Sequence, residues 1–171
     1  MKTIATLCLI LTAMTMMAQA PSAMTDAIKK LAFLEGTWKG QGWIKTGGQK
    51  QLFNETETAK IKTGGTLLQI DVFGTDVKEE TRIINNGLAI VRYDTTRRTY
   101  LMDFYQSDGS VAEATVEVVN ENTASILINR QGSFTRFVIR VKNNRWFEQG
   151  FHSRDGKDWT QFFEMDLARD D

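Results

Sequence analysis

The sequence is poor in the residues that most often carry chemistry or covalent stability. Its 171 residues include one cysteine, one proline and one histidine, and 21 basic side chains balance 21 acidic ones. A lone cysteine cannot close a disulfide within the chain. One histidine without cysteine partners excludes a closed zinc site and a three-histidine catalytic one. Balanced charge gives no electrostatic reason to expect nucleic acid or an anionic membrane as partner. The only proline is Pro21, so no later strand ladder is interrupted. Long apolar runs are also scarce: one stands at the N-terminus and none elsewhere.

That run has the layout of a secretory signal. Lys2 supplies the positive start, residues 4–17 are apolar and uncharged, and Ala18-Gln19-Ala20 is an A-x-A cleavage site. Threonines interrupt the run, and it is too short to span a bilayer. Cys8 follows Leu7, where a lipid-anchor signal wants a small residue. The expectation is a signal peptide over 1–20, an exported periplasmic or secreted protein, and one domain over 21–171 that does not insert into a membrane. Cleavage removes Cys8 and Lys2, which leaves a slight acidic excess and no thiol chemistry.

What is present is strand rhythm. Thr25 is placed to cap a helix from Asp26, with Ile28, Leu31 and Leu34 on one face and Gly36 as its stop. A helix this short must dock on something. Strand-like runs then follow at 37–45, 49–61, 65–73, 77–84, 87–94, 98–106, 110–119, 123–130, 133–142, 145–152 and 158–167. Turn signals separate them, among them Gly47-Gly48, Asn85-Asn86-Gly87, Gln131-Gly132 and Asn143-Asn144. Short connections imply an antiparallel meander, and ten or so strands in one meander curl and close rather than stay open. The expectation is an all-β, up-and-down antiparallel barrel with the N-terminal helix at its open end. A barrel is favoured over a two-sheet sandwich. In Gly36-Thr37-Trp38-Lys39-Gly40-Gln41-Gly42, a large ring between small residues suits a plug at the barrel end.

Chemistry is sparse. Ser153 neighbours His152, but adjacent strand residues point to opposite faces, and no nucleophile elbow is present. Asp155-Gly156-Lys157-Asp158 reads as a hairpin turn before it reads as a calcium loop. Glu55 and Glu57 share a face of a strand whose other face is also polar. An exposed strand protected by charge is the preferred reading, with a wet lumen as the alternative. Arg92, Asp103, Tyr105 and Glu148 interrupt apolar runs and are candidates to orient a ligand. Arg92 and Asp103 would alternatively pair across strands on the outside. Trp38 and Trp146 join them as candidate lining residues. In the last strand Trp159, Gln161, Phe163, Met165 and Leu167 alternate as an inward stripe.

The segment Leu31-Ala32-Phe33-Leu34-Glu35-Gly36-Thr37-Trp38-Lys39-Gly40-Gln41-Gly42 resembles the opening of lipocalin-like (calycin-type) barrels, where a helix precedes a G-x-W strand. Val91-Arg92-Tyr93-Asp94, Trp146-Phe147-Glu148 and the tail from Ser153 to Trp159 resemble bacterial secreted barrels of unknown function, distantly similar to the nitrobindins. Nitrobindin-type proteins hold haem through a histidine in the C-terminal part of the barrel. His152 is the only counterpart, and its sequence context differs, so the resemblance carries no cofactor over. The reading is a non-enzymatic binder of a small apolar or amphipathic molecule, with Trp38, Arg92, Asp103, Tyr105, Trp146 and Glu148 as the ligand-binding set. No catalytic or metal-ligating residue is assigned. The alternative is a protein-interaction module, a filled barrel acting through its rim loops.

Overall fold

The structure, a computed structural model, describes residues 19–170. The proposed signal therefore lies almost wholly outside the described residues. A helix α1 (Gln19–Lys29) and a 3-10 turn (Ala32–Leu34) precede ten strands. These are β1 (Gly36–Thr46), β2 (Gln49–Lys62), β3 (Leu67–Asp76), β4 (Ile83–Asp94) and β5 (Thr99–Gln106). They continue with β6 (Val111–Asn120), β7 (Thr123–Arg130), β8 (Ser133–Lys142), β9 (Arg145–Ser153) and β10 (Thr160–Arg169). Each strand pairs antiparallel with the next, and β10 returns to β1 with Trp38 opposite Arg169 and Gly40 opposite Leu167. The sheet is closed, as the expected rolling-up of hairpins requires.

The expected turns at Gly47-Gly48, Gln131-Gly132 and Asn143-Asn144 all form, each with two consecutive residues at positive φ. That conformation matches the right-handed twist of the flanking strands. The Asn85-Asn86-Gly87 signal is different, for it lies inside β4. Gly87 serves packing there: a Cβ would stand 2.5 Å from the Phe104 ring. The run expected as a strand at 77–84 is mostly loop. The Asp76 side chain accepts the N–H of Lys78 and Glu79 and pairs with Arg82, which folds the segment back on itself before β4 begins.

The helix also departs from expectation. It starts at Gln19, so Thr25 is an interior residue rather than its cap, and Pro21 sits in the first turn, where its missing donor costs nothing. Ala27, Ile28, Leu31 and Leu34 are buried against one end of the barrel. Tyr100 in β5 donates its hydroxyl to the Ala27 carbonyl at 2.8 Å, fastening the helix there. The helix thus makes a floor, and the barrel opens at the opposite end.

Trp38 completes that floor. It is fully buried, and its indole N–H donates to the Leu34 carbonyl at 2.9 Å. The Arg169 guanidinium lies 4.3 Å from its ring centre and donates to the Glu35 carbonyl at 2.7 Å. One ring therefore ties the 3-10 turn, β1 and β10 together. Truncating so large a buried side chain costs about 3–5 kcal/mol. Trp38→Ala is expected to lose stability of that order in chemical denaturation, whereas Trp43→Ala, on the outer wall, is expected to change it by less than half as much.

Candidate functional site

The inward row of β1 reads Trp38, Gly40, Gly42, Ile44. Above the Trp38 floor the wall therefore carries no side chain for two positions. A Cβ on Gly42 would press within 2.8 Å of Met165 and closer still to Phe53. A Cβ on Gly150 would stand 2.9 Å from Phe137 and Phe163. The aromatics thus lie against bare backbone instead of projecting to the axis. Phe53 stacks on Phe163 at 5.6 Å, and Phe137 meets Phe163 edge-on at 5.6 Å. What remains is a cavity of about 350 Å³. Its walls are apolar (among them Ile70, Val72, Met102, Ile126 and Ile139), and half-buried Ile44, Ile84, Gln106, Ile128 and Phe162 ring its mouth.

Three carboxyl groups enter this apolar space: Glu55 and Glu57 from β2, and Glu148 from β9. They are 3%, 6% and 9% exposed. The preferred sequence reading of Glu55 and Glu57 as an exposed pair is thus corrected; the period of two that puts them on one face puts that face inside. Register explains how Glu55 is accommodated. Gly74 of β3 faces it and Asn85 of β4 faces Gly74, so the carboxyl lies across the glycine and accepts from the Asn85 amide at 3.5 Å. A Cβ at Gly74 would collide with Glu55 Oε2. Glu148 accepts the Trp146 indole N–H at 3.0 Å, and Trp146 in turn meets Trp38 edge-on at 5.8 Å. Oε2 of Glu55 and Oε2 of Glu57 are buried and accept no hydrogen bond from a described residue.

Burial sets the electrostatics. Removal from water raises the Glu55 carboxyl from its ordinary range to about 8, assisted by the Glu148 charge and opposed by the Asn85 hydrogen bond. Glu148 is raised to about 7 by burial, against the lowering effect of the Trp146 bond. Glu57 is raised well above the carboxylate range by burial first and then by Glu148, Glu55 and Asp71. Among the described residues, no lysine, arginine or histidine lines the cavity to offset them. On the outer wall Glu164, which accepts from the Gln161 and Gln149 amides, is lowered instead. The lumen, rather than the residue type, makes these groups hold their protons.

Of the six residues expected to bind ligand, Trp146 and Glu148 line the cavity. Trp38 lies directly beneath, against Trp146. Arg92, Asp103 and Tyr105 stand on the outer wall, because Ala89, Val91, Met102 and Phe104 take the inward phase of β4 and β5. Arg92 faces Leu101 and Asp103 faces Ile90, so the two are diagonal neighbours rather than a direct cross-strand pair. The inward stripe expected in the last strand holds for Phe163, Met165 and Leu167 and fails before them. A bulge between Gln161 and Phe163 shifts the phase. It sends Gln161 outward to Glu164 and Trp159 outward beneath Arg136, and gives the cavity both Phe162 and Phe163.

His152 does not line the cavity. Its ring stacks on Phe162 at 4.1 Å and its Nδ1 lies 2.9 Å from the Thr135 hydroxyl, so no histidine is placed to ligate a haem inside. Ser153 is turned away from it and donates to Asp155 at 3.0 Å. The Asp155 carboxyl in turn accepts the N–H of Lys157 and Asp158, which makes the 155–158 segment an ordinary side-chain-closed turn.

The raised carboxyls carry a sign. A carboxyl whose folded value exceeds its unfolded one adds stability below the unfolded value, and that contribution is lost as pH rises through the folded value. The melting temperature is therefore expected to fall between about pH 5 and pH 9. Glu57→Gln is expected to flatten that fall and to raise the melting temperature at the alkaline end, as scanning calorimetry across the range would show.

No protein-family model and no curated protein sequence matches the chain. Rv2717c from M. tuberculosis superposes with a TM-score of 0.63 at 13% identity, over 85% of this chain and 98% of that one. The S-type phycobiliprotein lyase CPES from Guillardia theta gives a TM-score of 0.56 at 10% identity, over 90% and 98%. A de novo designed fluorescence-activating β-barrel gives 0.41 at 14% identity, over 80% and 94%. This chain folds as a closed ten-stranded antiparallel β-barrel, the fold it shares with Rv2717c and the phycobiliprotein lyase.

Proposed function

We propose that the protein is a non-enzymatic binder or carrier of one small, partly apolar molecule held inside an exported barrel. The observation that carries this reading is the cavity of about 350 Å³, apolar in its walls, with a few convergent polar groups and a plugged floor. Folding has kept this space open although Trp38 and Trp146 already fill the barrel's lower end. An apolar body would rest on Phe53, Phe137 and Phe163, and a polar end would reach the glutamates. Rv2717c and the phycobiliprotein lyase share the barrel fold; the lyase name describes that protein alone. Binding rather than turnover is the reading because, among the described residues, no serine, threonine, tyrosine, lysine or histidine joins the three carboxyls in the cavity lining.

A second reading rests on the outer wall. Phe73, Leu88, Tyr105 and Val111 lie on neighbouring strands β3 to β6, and Phe73, Tyr105 and Val111 are strongly exposed. Such a stripe suits a protein contact. The hollow interior favours the container.

Two measurements test the proposal. Native mass spectrometry of the protein purified from the cells that make it is expected to show an adduct that disappears under denaturing conditions; bare protein in every preparation would count against a carrier. Intact mass of the exported fraction is expected to place the first residue at Pro21, and a chain beginning at Met1 there would remove the export step.

A further inference from the structure

We infer that the ligand this cavity selects is an organic cation, an apolar molecule ending in an ammonium group that is seated among Glu55, Glu57 and Glu148. This rests on the container reading and gives it a chemical class. Three carboxyl groups enter one lumen from β2 and β9, and among the described residues no cationic side chain lines it. Two of their oxygens, Glu55 Oε2 and Glu57 Oε2, are buried on residues more than nine-tenths covered and accept nothing from the described residues. A buried acceptor without a donor is costly, and three acids without a base more so. Both deficits call for a ligand whose head group brings a positive charge and several N–H donors. An anionic ligand would meet like charge or displaced protons, and a neutral apolar one would leave both oxygens unsatisfied.

A metal ion is the less suitable occupant. Among the described residues no group of three or more histidine, cysteine, aspartate or glutamate side chains is close enough to hold one. The 350 Å³ of apolar space around the acids would also serve a bare ion no purpose. An ammonium with a hydrocarbon tail uses both parts of the chamber.

The seating moves a proton. With the lumen empty, the buried carboxyls keep theirs at pH 6. The arriving ammonium donates an N–H to a carboxylate, so one carboxylic acid releases its proton to solvent and the buried charge stays near zero. The groups that act on the pair are Glu148 across the lumen, Asp71 on the outer side of β3, and the neutral Asn85 amide.

The test is isothermal titration of the full-chain protein with decylammonium, 1-decanol and decanoate, which share one tail and differ in the head. Decylammonium is expected to bind at least about tenfold more tightly than decanol at pH 8, from charge-assisted hydrogen bonds. Its affinity is expected to rise by up to about tenfold per pH unit from pH 6 to pH 7 and less steeply from there to pH 8, with about one proton released per ligand at pH 6, read from the heats in two buffers. Glu57→Gln and Glu148→Gln should each shrink the preference over decanol. The wild-type pH slope decides the matter if either variant fails to fold. Decanol or decanoate binding as tightly as the amine would overturn the cation assignment and leave the container standing. Binding by none of the three would overturn the assignment too, while the native mass experiment judges the container separately.

Discussion

A closed sheet of ten strands encloses more space than ordinary side chains can fill, and that constraint governs the rest of this molecule. The chain resolves it unequally. At one end α1, Trp38 and Trp146 fill the barrel completely, and Arg169 clamps the indole of Trp38 across the closing seam. Above them the inward positions of β1 are Gly40 and Gly42, and Gly74 and Gly150 open the walls of β3 and β9. Phenylalanines settle over Gly42 and Gly150, and Glu55 lies over Gly74. Rings that would otherwise meet on the axis become wall covering, and the centre stays hollow.

The acids inside are intelligible only against that background. Glu55 fits because Gly74 gives it a place to lie, and Asn85, one strand further, gives it a partial partner. Glu148 is held by an indole whose own position is fixed by the floor. The stability the barrel gains by burying apolar surface is partly offset by keeping these groups out of water. A sequence under no demand but folding would place valine or leucine at positions 55 and 57. A site kept at a cost to the fold is where function is expected.

Much of the architecture was legible in the sequence. Turn residues with a tolerance for positive φ marked the hairpins, and the Trp38 segment marked the floor and the seam. The errors had local causes. Asn85-Asn86-Gly87 carries turn chemistry, yet its glycine makes room for Phe104 and its asparagine serves Glu55. The loop after Asp76 carries a strand-like composition, but the side chain of Asp76 closes it into a turn. For the site, period two could show that Glu55 and Glu57 share a face without saying which face, since Asn54, Thr56 and Thr58 opposite them are polar as well. The same ambiguity hid the outward placement of Arg92, Asp103 and Tyr105. In β10 the single extra residue at Phe162 inverted the phase, a feature that alternation alone cannot disclose. The phases of β3 and β4, read across the register from Gly74, would have been needed to place the two glutamates.

The floor and the seam are made by the helix, the 3-10 turn, β1 and β10, with the Asp170 N–H reaching the Thr37 carbonyl where the two ends of the sheet meet. The mouth is made by other pieces: the connections at 47–48, 77–82, 107–110, 131–132 and 154–159. All five lie at the end of the cylinder away from Trp38 and Arg169, where α1 and the 3-10 turn close it. Lengthening, shortening or recolouring those five connections changes what can reach the interior without loosening the hoop that holds it. The architecture thereby separates the part of the chain that must be kept from the part that is free to diversify.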